Sequence, residues 1–349
     1  MTISKPEQIQ VANHLTDMAE IIKSTAKSHK VYGHISKMHS GPAIITFTFD
    51  VKAGTPKARV TQLDVWLARA LVVLSMRITK DLSRRDRYLL EVQNRRHQTP
   101  QLSDLTAHPK FEKAGQGAMI LGVDVEDKPV ILHMTDMPHL FVAGNNNQEK
   151  EQLINGMIST LLMSSEPSSI KLLLINPKTS GLCVYRDSPY LFAPIISNVE
   201  KAVVWLQWLD AEIVIRTQQM TDWEEQTDVK RKKRIPFAQP IILVVINELA
   251  DLMVEAGEMV SRVVERITKN GGSVGVHLIA TTQCPSDSVI PGVFRDGSVA
   301  RFVFQTSSRT ESKIALGSDG AEKLLGVGDG YFRLAGDENI TRVYALCRM

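Results

Sequence analysis

The run Gly144-Asn145-Asn146-Asn147-Gln148-Glu149-Lys150-Glu151 has the outline of a phosphate-binding loop. Such loops read G-x-x-x-x-G-K-[ST], follow an apolar strand and open a helix. Their glycines let backbone N–H groups close round the phosphates, their lysine meets the terminal phosphates, and their hydroxyl ligates Mg²⁺. Here the first glycine and the lysine stand at the right separation. Glu149 takes the place of the second glycine and Glu151 that of the hydroxyl. Such a pair is a weak signal alone, and its context strengthens it. The apolar Leu140-Phe141-Val142-Ala143 precedes it, and helical periodicity runs from Gln148 to Met163.

Two further strand ends carry polar chemistry. Ile241 to Ile246 is an apolar strand ending in Asn247-Glu248. A Mg²⁺-binding Asp would precede the Glu in a nucleotide site, and Asn247 stands there instead. Glu248 stands where a water-activating base would be; the alternative is a charge favouring the N-terminus of the helix from Ala250. His277 to Thr281 ends in Thr281-Thr282-Gln283-Cys284-Pro285. Gln283 is placed to sense a γ-phosphate, or else is a turn residue before Pro285.

The elements that must position these groups alternate. Apolar runs at Leu140–Ala143, Lys171–Ile175, Ile241–Ile246 and Gly275–Thr281 are separated by helical patterns at Gln148–Met163, Val199–Met220 and Ala250–Lys269. Continuous apolar strands between helices argue a mainly parallel sheet covered on both faces. Ahead of it, a helix is expected over the first ~28 residues, a strand over Ala43–Val51 and a second helix over Val60–Ile78. These compose a smaller α+β unit.

The 349 residues are 43% hydrophobic and 23% charged, within the range of globular proteins. The net charge of +3, from 41 basic and 38 acidic residues, neither demands nor excludes nucleic acid. Lys230-Arg231-Lys232-Lys233-Arg234 is a solvated insertion or a phosphate contact. Cys183, Cys284 and Cys347 lie far apart without CxxC spacing. That spacing argues against a metal site or disulfide framework, and it suits a reducing cytoplasm. The N-terminus lacks a signal-peptide pattern, and no apolar run reaches membrane-spanning length.

In this order, the three strand ends resemble the FtsK/SpoIIIE family of DNA-pumping motors. Met137-Pro138-His139-Leu140-Phe141-Val142-Ala143-Gly144 is similar to the family's lead into its Walker A loop. Ile175-Asn176-Pro177-Lys178 resembles its Asp-Pro-Lys segment, and Asn247-Glu248-Leu249-Ala250-Asp251-Leu252-Met253 its Walker B stretch. Gly275 to Gln283 resembles its sensor strand, and Gly320 to Gly330 its near-C-terminal signature. Gly41 to Phe47 and Leu67 to Leu71 are similar to its smaller subdomain.

The resemblance implies an FtsK alpha-like subdomain over 1–120 and a RecA-like P-loop NTPase fold, the beta-like motor subdomain, over 121–349. It also implies a hexameric ring around double-stranded DNA, read without sequence specificity. Pore loops are implied near Lys269–Ser273 and Ser286–Ser298, with Lys269 and Arg295 as phosphate contacts or exposed charges. Nothing like the family's membrane segment or winged-helix domain is expected from this chain, and a plasmid, phage or mobile-element origin suits that short form.

The departures cluster at the nucleotide. Glu149, Glu151, Asn247 and Asn176 replace the family's Gly, Ser/Thr, Asp and Asp. Cys284 replaces an Arg, and Lys313 stands at a candidate arginine-finger position. Two like charges ~4 Å apart at an effective dielectric of ~20 repel by about 4 kcal/mol. Glu149 and Glu151 would therefore repel a polyphosphate. Loss of the hydroxyl and the Asp removes both protein contacts to Mg²⁺. Lys lacks the planar fork of Arg. Three expectations follow: a pseudo-ATPase ring or partner subunit with vestigial Glu248 and Gln283; an active translocase using ATP and Mg²⁺ in an unorthodox site; or a structural or inhibitory subunit that joins an active motor. No cofactor is expected under the first.

Overall fold

The computed structural model describes residues 5–41, 44–73, 76–80, 86–94, 101–176, 181–226, 239–287, 289–326 and 328–346. Pro177, Lys178, the basic run Lys230 to Arg234 and Cys347 lie outside them. The chain divides into two units, Met1–Thr99 and Pro100–Met349. The expected division at 120/121 falls inside a strand, Ala118–Asp124, that belongs to the second unit's sheet. The boundary therefore lies earlier.

The first unit runs α1 (Lys5–Ser28), β1 (Gly33–Ser40), β2 (Ile44–Val51), α2 (Lys57–Thr61), α3 (Leu63–Ala70), β3 (Met76–Lys80) and β4 (Arg87–Gln93). Its sheet order is β1-β2-β4-β3, all pairs antiparallel. Phe47, Phe49, Leu90 and Val92 from the strands meet Ile22, Leu63 and Leu67 from the helices in one core. The helix expected over Val60–Ile78 is corrected here. It is two short helices, and Met76–Lys80 is a strand. Its stop is a Schellman turn: Val73 N–H donates to Ala68 O at 2.9 Å and Val72 N–H to Arg69 O at 3.1 Å. Val72 holds the left-handed position at φ 54°. Glycine usually marks that position, so the sequence carried no stop signal there.

The second unit continues with α4 (Leu102–Thr106), α5 (Pro109–Ala114), β5 (Ala118–Asp124), β6 (Pro129–His133), β7 (His139–Ala143), α6 (Asn147–Met163), β8 (Ile170–Ile175), α7 (Val199–Gln226), β9 (Ile241–Ile246), α8 (Leu249–Arg266), β10 (Val276–Thr282), β11 (Ala300–Val303), α9 (Arg309–Leu316), β12 (Asp329–Arg333) and β13 (Thr341–Ala345). Its sheet order is β6-β5-β13-β12-β11-β7-β10-β9-β8. The five strands from β11 to β8 are parallel, and the other four extend the sheet antiparallel. Every residue of β7 and β10 is buried, because helices cover both faces. Phe141, Val244 and Leu278 pack with α7 and α8 on one face, and Leu140, Val142 and Val245 with α6 on the other.

Register then decides what meets. Thr282 pairs with Ala143, Ala280 with Ile246, and Ile175 with Ile246. The carboxyl ends of β7, β8, β9 and β10 thus lie in one row, where open α/β sheets bind ligands. Gly144, Asn176, Asn247 and Gln283 each follow one of those ends.

At the opposite end, His139 and His277 are buried with ring centroids 6.3 Å apart. His277 Nδ1–H donates to Pro138 O at 3.1 Å. Burial holds the pKa of His139 down to about 3 and that of His277 to about 4. Unfolded histidines bind protons near 6.5, so acid favours the unfolded chain. The pair's contribution is full above pH 6.5 and is lost as pH falls toward those values. Between pH 6.5 and 5, unfolding free energy should fall by up to about 1.4 kcal/mol per pH unit for each histidine. Urea unfolding across that range checks this, and His139→Leu should remove its share of the slope.

Candidate functional site

The loop after β7 is fixed from both sides. Gly144 N–H donates to Thr282 O at 3.3 Å, and Asn145 N–H to Gln305 O at 3.0 Å. A side chain at Gly144 would lie 2.6 Å from Phe304 Cβ, so only glycine fits. Asn146 is extended and caps α6, its side chain accepting from Gln148 N–H at 3.0 Å. Asn147 and Gln148 form the first helical positions. A short loop, Gly144 to Asn146, thus leads from β7 into α6, and Glu149, Lys150 and Glu151 lie within the first turns of the helix.

The side chains are turned to other uses. Lys150 is 1% exposed, and its Nζ donates to Gly144 O at 2.7 Å. Glu149 is 6% exposed and reaches the near-C-terminal loop, where it accepts from Gly328 N–H at 3.1 Å. A carboxylate in the first turn of α6 supplies the negative charge that a helix N-terminus favours. Glu151 lies against the Gly181 backbone and accepts from Asn247 Nδ2 at 3.4 Å. Asn247 Nδ2 also donates to Asn176 Oδ1 at 3.1 Å, and Asn247 Oδ1 accepts from Thr281 Oγ1 at 3.0 Å.

Glu248 is held as firmly. Its carboxylate accepts from Thr282 Oγ1 at 2.9 Å and from Gln283 N–H at 3.0 Å. Its backbone is left-handed, at φ 70°. A non-glycine residue there costs on the order of 1–3 kcal/mol. Glu248 is also the N-cap residue of α8, and its side chain makes no cap hydrogen bond there. Sequence reasoning missed Thr281 and Thr282 as members of this network; their signal was two adjacent hydroxyls at a strand end.

Burial draws the Lys150 pKa down to about 8, against the opposing charges of Glu248, Cys284, Glu151 and Glu149. The acidic groups thus offset part of the burial penalty, and the ammonium is bonded to its own loop. A carboxylate at 151 and an amide at 247 also fail to supply the hydroxyl and Asp that hold Mg²⁺ in such sites. Among the described residues, no group of three or more His, Cys, Asp or Glu could hold a metal ion.

The remaining sequence candidates lie elsewhere. Lys313 is exposed on α9, 3.6 Å from Asp319, and Arg309 one turn earlier pairs with the same Asp319 at 3.0 Å. Sequence reading missed Arg309, whose signal was the i,i+4 spacing of two basic residues. Lys269, in the turn after α8, pairs with Glu265, and Arg295 pairs with Asp287 at 2.7 Å. Both lie on exposed segments, each with an acidic partner that weakens its field. Cys284 is exposed, its N–H donating to Thr282 Oγ1 at 3.3 Å.

Two family models match the chain: the FtsK alpha domain over residues 2–94 and the FtsK/SpoIIIE family over residues 101–234. The chain belongs to the FtsK/SpoIIIE family. The DNA translocase FtsK of Staphylococcus aureus (strain COL) is 32% identical over 335 residues, 93% of this chain and 42% of that protein. The DNA translocase FtsK of Helicobacter pylori (strain ATCC 700392 / 26695) is 31% identical over 338 residues, 95% of this chain and 39% of that protein. The chain thus spans about two-fifths of these family members. Among solved structures, the pCW3 conjugation coupling protein TcpA shares the fold, with TM-score 0.58 and 16% identity over 95% of each chain. The cytoplasmic domain of the Thermomonospora curvata type VII secretion ATPase EccC does so with TM-score 0.54 and 22% identity, over 66% of this chain and 28% of that one. These likenesses agree with the expected P-loop fold. No described helix is long and apolar enough to cross a membrane.

The network makes a mutational prediction. Asn247→Asp removes the amide that serves Glu151 and Asn176, and it sets a second carboxylate beside the first. It should destabilise the chain by about 1–3 kcal/mol. Glu151→Ser should relieve part of that loss, with a coupling energy of about 0.5–3 kcal/mol. Denaturant unfolding of both single variants and the double variant measures it.

Proposed function

We propose that this chain is a catalytically silent FtsK/SpoIIIE-type motor subunit that acts on double-stranded DNA without hydrolysing ATP. The observation that carries this reading is the Lys150 ammonium, buried and bonded at 2.7 Å to the carbonyl of Gly144. That lysine would have to leave its own loop to meet a nucleotide. Glu149 and Glu151 would then face the phosphates with like charge. Glu149 would also have to release Gly328, and Glu151 to release Asn247.

The DNA partner and the ring come from the family. Relatives across most of this chain's length are named DNA translocases. In this reading the chain forms a hexameric ring, or joins a mixed ring with an active FtsK-type motor, and contacts DNA through phosphates without sequence preference. Lys269 and Arg295 are the candidate contacts. An inhibitory subunit in such a mixed ring is one form of the same proposal. Action in the cytoplasm, without a membrane partner, belongs to it as well.

Glu248 favours a second reading, an active motor with an unorthodox site. Its strained backbone and its grip by Thr282 and Gln283 keep a carboxylate where a base would act.

ATP hydrolysis with and without long duplex DNA separates the two. The unmodified chain should show no DNA-stimulated turnover. The Glu149→Gly, Glu151→Ser, Asn247→Asp triple variant should gain nucleotide binding. DNA-stimulated turnover by the unmodified chain would establish the second reading instead.

A further inference from the structure

A second charged cluster lies on the α9 face of the sheet, within the second unit. Arg301 on β11 stands directly opposite Arg333 on β12 in the antiparallel register. Like charges in that relation destabilise a sheet unless something offsets them. Arg301 is 2% exposed, and its Nε is buried without a hydrogen-bond partner. No carboxylate lies within 4.0 Å of either guanidinium among the described residues.

Their contacts are backbone carbonyls. Arg301 Nη1 donates to Ala315 O at 3.5 Å, and Arg333 Nη1 to Leu316 O at 3.4 Å. Arg333 Nε also donates to Asp337 O at 2.6 Å. The two long contacts sit at the C-terminus of α9, whose partial negative charge helps but amounts to about half a unit. Burial, then the charge of Arg333, lower the Arg301 pKa, and Asp296 opposes them. The Asp296 carboxylate already accepts from Ser298 N–H at 2.8 Å.

Both guanidiniums converge on Gly317, the left-handed cap of α9 at φ 84°. The place a side chain would occupy there is 2.8 Å from Arg333 Nη1 and 3.3 Å from Arg301 Nη1. Gly317 itself is exposed, whereas Arg301 is 2% exposed and Arg333 half-buried. The next residue, Ser318, has a buried hydroxyl without a hydrogen-bond partner.

We propose that Arg301 and Arg333 form an anion subsite over Gly317 that takes a phosphate group. Guanidinium forks match phosphate oxygens, and a tetrahedral anion can accept from both at once. The subsite is separate from the altered nucleotide loop and does not depend on whether ATP is turned over. Phosphate reaches it either free in solution or as part of a DNA backbone. Asp296, whose carboxyl a hydrogen bond from Ser298 and the charges of Arg301 and Lys269 hold down, lies within the expected DNA-contacting segment Ser286–Ser298.

Thermal unfolding of the full chain in a phosphate-free buffer, titrated with inorganic phosphate at constant ionic strength, tests the proposal. The unmodified chain should gain several degrees in Tm. Arg333→Met should lose that gain while remaining folded without phosphate. Gly317→Asp, at a position where Asp tolerates a left-handed backbone, should raise Tm without phosphate and abolish the response. Duplex DNA binding by the unmodified chain and Arg333→Met then identifies the source. A several-fold weaker complex with a salt slope reduced by about one assigns a DNA phosphate; unchanged binding beside a lost phosphate response assigns a free one. Equal phosphate responses in the unmodified chain and Arg333→Met, or no response in the unmodified chain, would overturn the subsite.

Discussion

The candidate site depends on how one buried ammonium is neutralised. Taking a lysine out of water costs several kcal/mol unless charge and hydrogen bonds replace its hydration. In a phosphate loop the bound nucleotide meets that need. Here Lys150 turns to Gly144 O, and Glu149, Glu151 and Glu248 supply the opposing charge. The two residues that depart from the phosphate-loop pattern are two of the carboxylates acting on the lysine. Their substitution is coherent in physical terms, since both add to the opposing charge that Glu248 and Cys284 already supply against the burial penalty.

The same carboxylates connect the loop to its surroundings. Glu149 holds Gly328, next to β12. Glu151 enters the Asn247–Asn176–Thr281 chain, which joins the ends of β8, β9 and β10. Amides at 176 and 247 suit that chain because each offers a donor and an acceptor, whereas two aspartates would repel. The substitutions at 151, 176 and 247 thus make one hydrogen-bonded set. The strained Glu248 stands beside it, and its backbone N–H donates to Thr281 Oγ1 at 3.0 Å.

Much of the second unit was legible because its strands are continuous apolar runs and its loops carry Gly and Asn. Ile241–Ile246 matches its expected bounds, and β7, β8 and β10 match within about a residue. The stop at Val72 was not legible, because a β-branched residue occupies a glycine's position. Strands β12 and β13 were missed because each is five residues long and carries only two or three adjacent apolar residues, with neither alternation nor a long apolar run. At the site, residue types and strand ends were readable, while the direction of each side chain was not. Glu149 read as a repellent facing phosphate, and it bonds instead to a loop 179 residues away in sequence. Sequence spacing cannot report such a partner. The pairing of Arg301 with Arg333 was hidden for the same reason, since only sheet register sets them opposite each other.

The most direct test of the account is calorimetric titration of the unmodified chain with a slowly hydrolysed ATP analogue, with and without Mg²⁺. If Lys150 and its carboxylates close the site, no saturable binding should appear up to millimolar nucleotide. Mg²⁺-dependent binding in the micromolar range would contradict the account, because it would require Lys150 to leave Gly144 and three carboxylates to accept a polyphosphate among them.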